Sequence, residues 1–98
     1  KVFLLSNNFC ERTTYYRKQF PQLFALVDGA YFSWETGYVK PDLHAWLNIL
    51  DTQHLHAKDC LYFDNDKENV AAAQKLGLQA EVWQSVTRAK KVIRATFI

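Results

Sequence analysis

Residues 61–66 have the sequence Leu-Tyr-Phe-Asp-Asn-Asp, and this stretch decides the fold class. Its first three residues form an apolar run, which is typical of a strand buried on both faces. The polar residues end the strand, and Asp66 can cap a helix that carries Val70 and Leu76 on one face. Gly77 then stands where a left-handed residue commonly ends such a helix. The stretch therefore predicts a strand, a polar loop and a helix in immediate succession.

The same alternation of strand and helix extends along the rest of the chain. Further strands are predicted at residues 2–5, 30–34 and 80–83. Further helices are predicted over residues 11–20 with Pro21 marking the end, from Pro41 at the first helical position, and from Ser85 as the cap. Strands that alternate with helices of this length predict an α/β fold with a mostly parallel sheet covered by helices.

Composition limits the classes of function. The chain has 98 residues, 49% of them hydrophobic, and a formal net charge of +2, which is too small to indicate a nucleic-acid or membrane partner. No apolar run approaches the roughly 18–20 residues of a membrane span. The final helix carries a local group of basic residues, which we interpret as a solvated outer face: Arg88, Lys90, Lys91 and Arg94.

The cysteines and histidines indicate neither a disulfide framework nor a zinc site. Cys10 and Cys60 form no Cys-x-x-Cys pattern, and a chain with two cysteines favours reduced thiols and a cytoplasmic setting. The three histidines lack the spacing and the cysteine partners of a zinc centre. The aromatic side chains of Trp46, Phe63 and Trp83 fall on apolar faces and are predicted to be core residues.

Three polar clusters follow the first three predicted strands, at residues 6–8, 35–40 and 64–66. Ligands of parallel sheets bind beyond the carboxyl ends of the strands, so we expect these clusters to converge on one edge. Ser6 and the amides after it can donate to phosphoryl oxygens, and Lys40 supplies a compact positive charge. Asp64 and Asn65 offer hard oxygen ligands suited to Mg²⁺. The combination predicts a site for a phosphate and a divalent cation.

Residues 2–7, 33–42 and 61–73 closely resemble motifs II, III and IV of the haloacid dehalogenase (HAD) superfamily, in that family's order. The Lys-Pro-Asp at 40–42 and the acidic cluster followed by Asn69-Val70 make the resemblance specific. It covers essentially the whole chain. It implies a three-layer, Rossmann-like HAD fold, with residues 1–98 as the C-terminal portion of the core domain.

The resemblance also implies a role for each candidate residue. Ser6 would hydrogen-bond the transferring phosphoryl group, with Asn7 beside it in the phosphate site. Lys40 would offset negative charge on the nucleophile and the phosphate. Asp64 and Asn65 would fill the metal-binding acidic pair, although the family usually has an aspartate where Asn65 stands. An amide oxygen adds no negative charge, so we expect the Mg²⁺ site to be weakened.

The family's motif I, Asp-x-Asp-x-Thr/Val, occurs nowhere in this sequence. We therefore expect the nucleophilic aspartate upstream of Lys1 and expect this stretch alone to be inactive. The missing strand would leave the sheet incomplete at its N-terminal side, so the first and third predicted strands should not pair directly. The upstream segment would be the partner of that open edge. No cap domain fits between Ser6 and Lys40.

The resemblance implies a hydrolase, and first a phosphatase that acts on a small phosphate ester through an aspartyl-phosphate. A metal-free haloacid dehalogenase is an alternative, and Asn65 favours it because such an enzyme tolerates a weak metal site. A truncated, non-catalytic fragment with a binding or structural role is a second alternative, and the absent nucleophile favours it.

Overall fold

The computed structural model describes residues 1–97 and divides the chain into two compact units. Unit 1 is Lys1–Ile49, and unit 2 begins at Leu50. Each unit contains one pair of parallel strands with its own helices, and we describe each by itself.

Unit 1 is built on two strands, β1 (Phe3–Ser6) and β2 (Gly29–Phe32), which pair in parallel with Ser6 opposite Phe32. Two helices connect them, α1 (Cys10–Gln19) and α2 (Pro21–Leu26). A single helical turn, α3 (Ser33–Thr36), follows β2, and α4 (His44–Thr52) begins in this unit. The predicted strands near residues 2–5 and 30–34 are thus confirmed with small shifts of their ends.

The predicted helix over residues 11–20 is confirmed as α1, which ends at Gln19 before Pro21. Pro21 also begins α2, because a proline fits the first helical position, where the backbone N–H needs no partner. Two other predictions for unit 1 were wrong in detail. Ser33 and Trp34, predicted to end the second strand, belong to α3. Pro41 does not begin α4, which starts at His44. The Lys40–Pro41 peptide bond is cis.

Unit 2 contains β3 (Leu61–Asp64), α5 (Lys67–Lys75), β4 (Gln79–Val82) and α6 (Val86–Phe97), preceded by a 3-10 turn at Ala57–Asp59. The two strands are parallel, with Leu61 opposite Gln79 and Asp64 opposite Val82. The predicted strand, loop and helix after residue 61 are therefore confirmed.

The helix ends of unit 2 follow local sequence signals. The Asp66 carboxylate caps α5 by accepting the Glu68 N–H at 2.8 Å, and the Ser85 hydroxyl accepts the Arg88 N–H at 3.1 Å at the start of α6. Gly77 has φ = +94°, and Leu78 N–H donates to the Ala73 carbonyl at 3.2 Å. This left-handed ending supplies hydrogen-bond donors to carbonyl groups in the last turn of α5 that have no partner within the helix.

Each unit buries a small core of its own. In unit 1 the most buried apolar side chains are Phe32, Ala45, Trp46 and Ile49. In unit 2 they are Val70, Ala72, Ala73, Leu78, Ala80 and Ala89. Trp46 is a core residue as predicted, whereas Trp83 is 44% exposed and touches Phe63 edge to face. The prediction that Trp83 is a core residue was wrong, because it follows the last residue of β4.

The two strand pairs form separate two-stranded sheets in residues 1–97, with β1 hydrogen-bonded to β2 and β3 to β4. The predicted α/β class with parallel strands is confirmed. None of the helices within residues 1–97 is long and apolar enough to cross a bilayer.

Candidate functional site

The carboxyl end of β1 holds Lys40 through the side chain of Asn7. Asn7 Oδ1 accepts the backbone N–H of Lys40 at 2.9 Å, and Asn7 Nδ2 donates to the Lys40 carbonyl at 3.0 Å. Two bonds from one planar amide fix both the position and the direction of the Lys40 backbone. The structure thus brings together two of the predicted site residues that are far apart in sequence.

The Lys40 side chain turns back toward β1. Its Nζ donates to the Leu5 carbonyl at 3.1 Å, and the residue is half-buried. An ammonium group has three N–H donors, so it can contact more than one acceptor at once. Lys40 therefore sets a fixed positive charge at the end of β1, next to Ser6.

Ser6 ends β1 and is held by Asn8, whose Nδ2 donates to Ser6 Oγ at 2.9 Å. Asn8 is tied in turn to Ser33, which follows β2: its N–H donates to Ser33 Oγ at 3.0 Å, and that hydroxyl donates to the Asn8 carbonyl at 3.2 Å. The loop after β1 is thus fastened to the end of β2.

An apolar groove of about 300 Å³ in unit 1 reaches Ser6 and Asn8. It is otherwise lined by Leu4, Leu5, Tyr16, Phe20, Leu23, Phe24 and Phe32. An apolar wall lowers the local dielectric, so it would strengthen any hydrogen bond that the Ser6 hydroxyl donates.

The other polar residues after β2 have structural partners. Glu35 forms an ion pair with Arg17 of α1 at 3.3 Å. Asp42 Oδ1 accepts the backbone N–H of His44 at 2.9 Å and lies 2.9 Å from His44 Nδ1. The backbone bond, and then the ring contact, lower the pKa of Asp42 from its ordinary value. Asp42, which lies two residues beyond Lys40, thus fixes the start of α4 at His44.

Asp64 ends β3 in unit 2, and its carboxylate accepts hydrogen bonds from several groups around it. Oδ2 accepts from the Tyr62 hydroxyl and from Asn69 Nδ2 at 3.1 Å, and Oδ1 accepts from the Asp66 N–H at 3.0 Å. Asn69 is only 7% exposed. Burial, and then the bond to Asp64, raise the pKa of the Tyr62 hydroxyl, which keeps it a proton donor.

The residues after β3 offer oxygen ligands to a cation, but they carry little negative charge. The Asp64 carboxylate supplies hard oxygen atoms that suit Mg²⁺ or a water bound to it. Asn65 is exposed, and its amide oxygen can be a neutral second ligand. Within residues 1–97 there is no group of three or more His, Cys, Asp or Glu side chains arranged to hold a metal. The donor set therefore fits a weakly held Mg²⁺ that keeps several waters.

The Tyr62 hydroxyl predicts an alkaline loss of stability. Its pKa is raised in the folded chain, so stability is fully present below the ordinary pKa of about 10 and falls as the pH rises above it. Urea unfolding between pH 8 and pH 11 should show this fall in the wild type and a smaller fall in Tyr62→Phe. Tyr15→Phe, which alters an exposed tyrosine of α1, is the control. Equal pH dependence in all three proteins would contradict the assignment.

Four residues that were not predicted as site residues complete these contacts: Asn8, Ser33, Tyr62 and Asn69. A signal existed for Tyr62, since residues two apart on a strand share a face and its hydroxyl can therefore reach Asp64. Asn8 and Ser33 meet only because β1 pairs with β2, which no local pattern shows.

No family model matches this sequence. Solved structures are similar to it. An uncharacterized protein from Corynebacterium glutamicum ATCC 13032 Kitasato is 28% identical, with a TM-score of 0.81 over 97% of this chain and 69% of that one. A HAD family enzyme from Bacteroides thetaiotaomicron, in complex with magnesium and inorganic phosphate, is 22% identical, with a TM-score of 0.80 over 87% of this chain and 46% of that one.

A predicted HAD-like family hydrolase from Porphyromonas gingivalis is 22% identical, with a TM-score of 0.87 over 96% of this chain and 50% of that one. The chain thus spans about half the length of these two HAD proteins. The order of strands and helices and the parallel pairing of the strands agree with these similarities to HAD proteins. The chain has the HAD-like fold.

Proposed function

We propose that residues 1–98 carry the phosphate-holding and cation-holding part of a HAD-type phosphatase that acts on a small phosphate ester. The observation that carries the proposal is the fixed position of Lys40, which Asn7 and the Leu5 carbonyl hold at the carboxyl end of β1 next to Ser6. In this proposal the stretch is the C-terminal portion of a HAD-like core domain, and residues 1–98 contain no cap domain.

Ser6 and Lys40 would act on the phosphoryl group of the substrate. The Ser6 hydroxyl would donate to a phosphoryl oxygen, and the Lys40 ammonium would offset the charge that accumulates on the oxygens during transfer. Asn7 would contribute through the Lys40 backbone that it holds. The nucleophile would be an aspartate outside residues 1–98, so that hydrolysis passes through an aspartyl-phosphate in two displacement steps.

Asp64 and Asn65 would hold Mg²⁺, which when bound neutralises charge on the phosphoryl oxygens. The donor set after β3 and the magnesium and phosphate complex of the Bacteroides enzyme support this assignment.

Cys10 and Cys60 are both free thiols, which supports a reducing, cytoplasmic setting.

Asn65→Asp is expected to tighten Mg²⁺ binding by roughly tenfold, because it adds a second negative charge to a hard-oxygen site. The measurement is the Mg²⁺ concentration that gives half-maximal phosphatase activity in the full-length protein, together with calorimetric titration of Mg²⁺. Ala71→Glu adds the same charge to the exposed face of α5 and serves as the control. Similar Mg²⁺ affinity in all three proteins would show that Asn65 does not face the metal.

Hydrolysis of p-nitrophenyl phosphate by the full-length protein tests the proposed activity. We expect turnover with Mg²⁺ that is lost when EDTA removes the metal. A protein that releases halide from a 2-haloacid, and does so equally well in EDTA, would be the metal-free dehalogenase, which the neutral Asn65 favours. Absence of both activities would support the non-catalytic alternative.

A further inference from the structure

Asn8 joins the predicted phosphate-binding hydroxyl to the neighbouring strand. Its side chain donates to Ser6 Oγ at 2.9 Å, while its backbone N–H and carbonyl both bond to the Ser33 hydroxyl, at 3.0 and 3.2 Å. Both contacts lie in partly buried surroundings. The closed pair with Ser33 fixes the backbone of Asn8, and the fixed backbone aims its amide at Ser6.

The bond from Asn8 decides what Ser6 can do. A serine hydroxyl has one proton to donate and two lone pairs that accept. Asn8 uses a lone pair of Ser6 Oγ, and the rest of the described chain offers this hydroxyl no acceptor for its proton. The proton is therefore available to an anionic oxygen at the end of β1, where Lys40 Nζ also lies against the Leu5 carbonyl.

We infer that Asn8 is a positioning residue that keeps the Ser6 hydroxyl turned so that it donates to the phosphoryl group, with Ser33 as the anchor of Asn8. This inference rests on the proposed phosphatase function for its catalytic consequence. The hydrogen bond itself, and its direction, stand on the contacts within unit 1.

The chemistry explains why an amide is needed at this position. An aspartate of the same shape has only acceptors when ionised, so Ser6 would donate to it and the proton would leave the phosphate site. An alanine would leave Ser6 free to rotate. Only a group with an N–H or O–H at this place holds the Ser6 proton toward the substrate.

Asn8→Asp and Asn8→Ala test the inference in the full-length protein with p-nitrophenyl phosphate. We expect kcat to fall by about 10- to 100-fold in Asn8→Asp and by less in Asn8→Ala, with smaller changes in KM. The reason is that the hydrogen bond from Ser6 to the phosphoryl group strengthens in the transition state. Gln22→Glu adds the same charge to exposed α2 and should match the wild type. Thermal unfolding checks that every variant is folded.

The pH profile provides a readout that a purely structural role would not produce. As the pH falls toward about 4, the new carboxyl group of Asn8→Asp gains a proton and can again donate to Ser6. The activity of Asn8→Asp relative to the wild type should therefore rise as the pH falls. A constant ratio, or wild-type kcat in Asn8→Asp, would overturn the inference.

An NMR measurement separates this inference from the proposed function. In the ¹⁵N-labelled protein, Ser6→Ala should shift the side-chain amide resonances of Asn8 and speed the exchange of its protons, whether or not the protein hydrolyses phosphate esters. Unchanged Asn8 resonances would overturn the inference even in an active enzyme. An inactive wild type with the expected Asn8 shifts would overturn the phosphatase proposal and retain the positioning role of Asn8.

Discussion

Lys40→Ala is expected to lower kcat/KM on p-nitrophenyl phosphate by about 100- to 1000-fold in the full-length protein, the loss typical of one preorganised charge-stabilising group. The physical reason is the position of the Lys40 ammonium. The Lys40 backbone is fixed by two hydrogen bonds to the Asn7 side chain, and Lys40 Nζ donates to the Leu5 carbonyl at 3.1 Å. In the proposed phosphatase, such a fixed charge would stabilise the transferring phosphoryl group without the reorganisation that water would need.

Two further variants isolate the effect of Lys40. Lys40→Arg keeps the charge, but its planar fork differs in shape from an ammonium, so it should restore only part of the activity. Lys18→Ala removes an exposed lysine of α1 and should leave activity unchanged. A Lys40→Ala protein within about threefold of wild-type kcat/KM would exclude Lys40 from the phosphate site.

Asp64→Asn is expected to destabilise the fold by about 1–3 kcal/mol and to weaken Mg²⁺-dependent activity strongly. The carboxylate accepts from Tyr62, Asn69 and the Asp66 N–H, and Asn69 is buried. An amide has one oxygen and one NH₂ group, so at least one of these donors would face another donor. The loss of the carboxylate charge would also remove the negative charge from the proposed Mg²⁺ pair of Asp64 and Asn65.

Urea unfolding with Asp51→Asn as the control measures the effect on stability. Asp51 lies on the exposed side of α4, where loss of a carboxylate leaves no buried donor behind. The midpoint of unfolding should fall in Asp64→Asn and stay near that of the wild type in Asp51→Asn. Equal midpoints would show that the three donors to Asp64 are satisfied elsewhere.

The sequence predicted best those features that depend on a few neighbouring residues. Asp66 caps α5, Ser85 caps α6, and Gly77 takes up the left-handed conformation, because each of these local geometries admits few residue types. Proline was ambiguous, since it fits both beyond the end of one helix and at the start of the next. Pro21 follows the end of α1, as predicted, and also begins α2, which was not predicted.

The contacts around the candidate site depend on tertiary pairing, and the sequence predicted fewer of them. Ser6, Asn7 and Lys40 were named as site residues from a polar loop and a lysine beyond two strands. The clamp of Asn7 on Lys40 and the link from Asn8 to Ser33 require the parallel register that places Ser6 opposite Phe32. Hydrogen-bond direction within a polar run follows from such packing and not from residue type.

Titration of inorganic phosphate into the ¹⁵N-labelled full-length protein with Mg²⁺ tests most directly whether this stretch holds a phosphoryl group. The proposed site predicts saturable shifts of the backbone amides at the carboxyl end of β1, those of Ser6, Asn7 and Asn8, and of the Lys40 amide. It also predicts that Lys40→Ala abolishes these shifts while Lys18→Ala retains them. Shifts confined to other parts of the protein, or none at millimolar phosphate, would contradict the account.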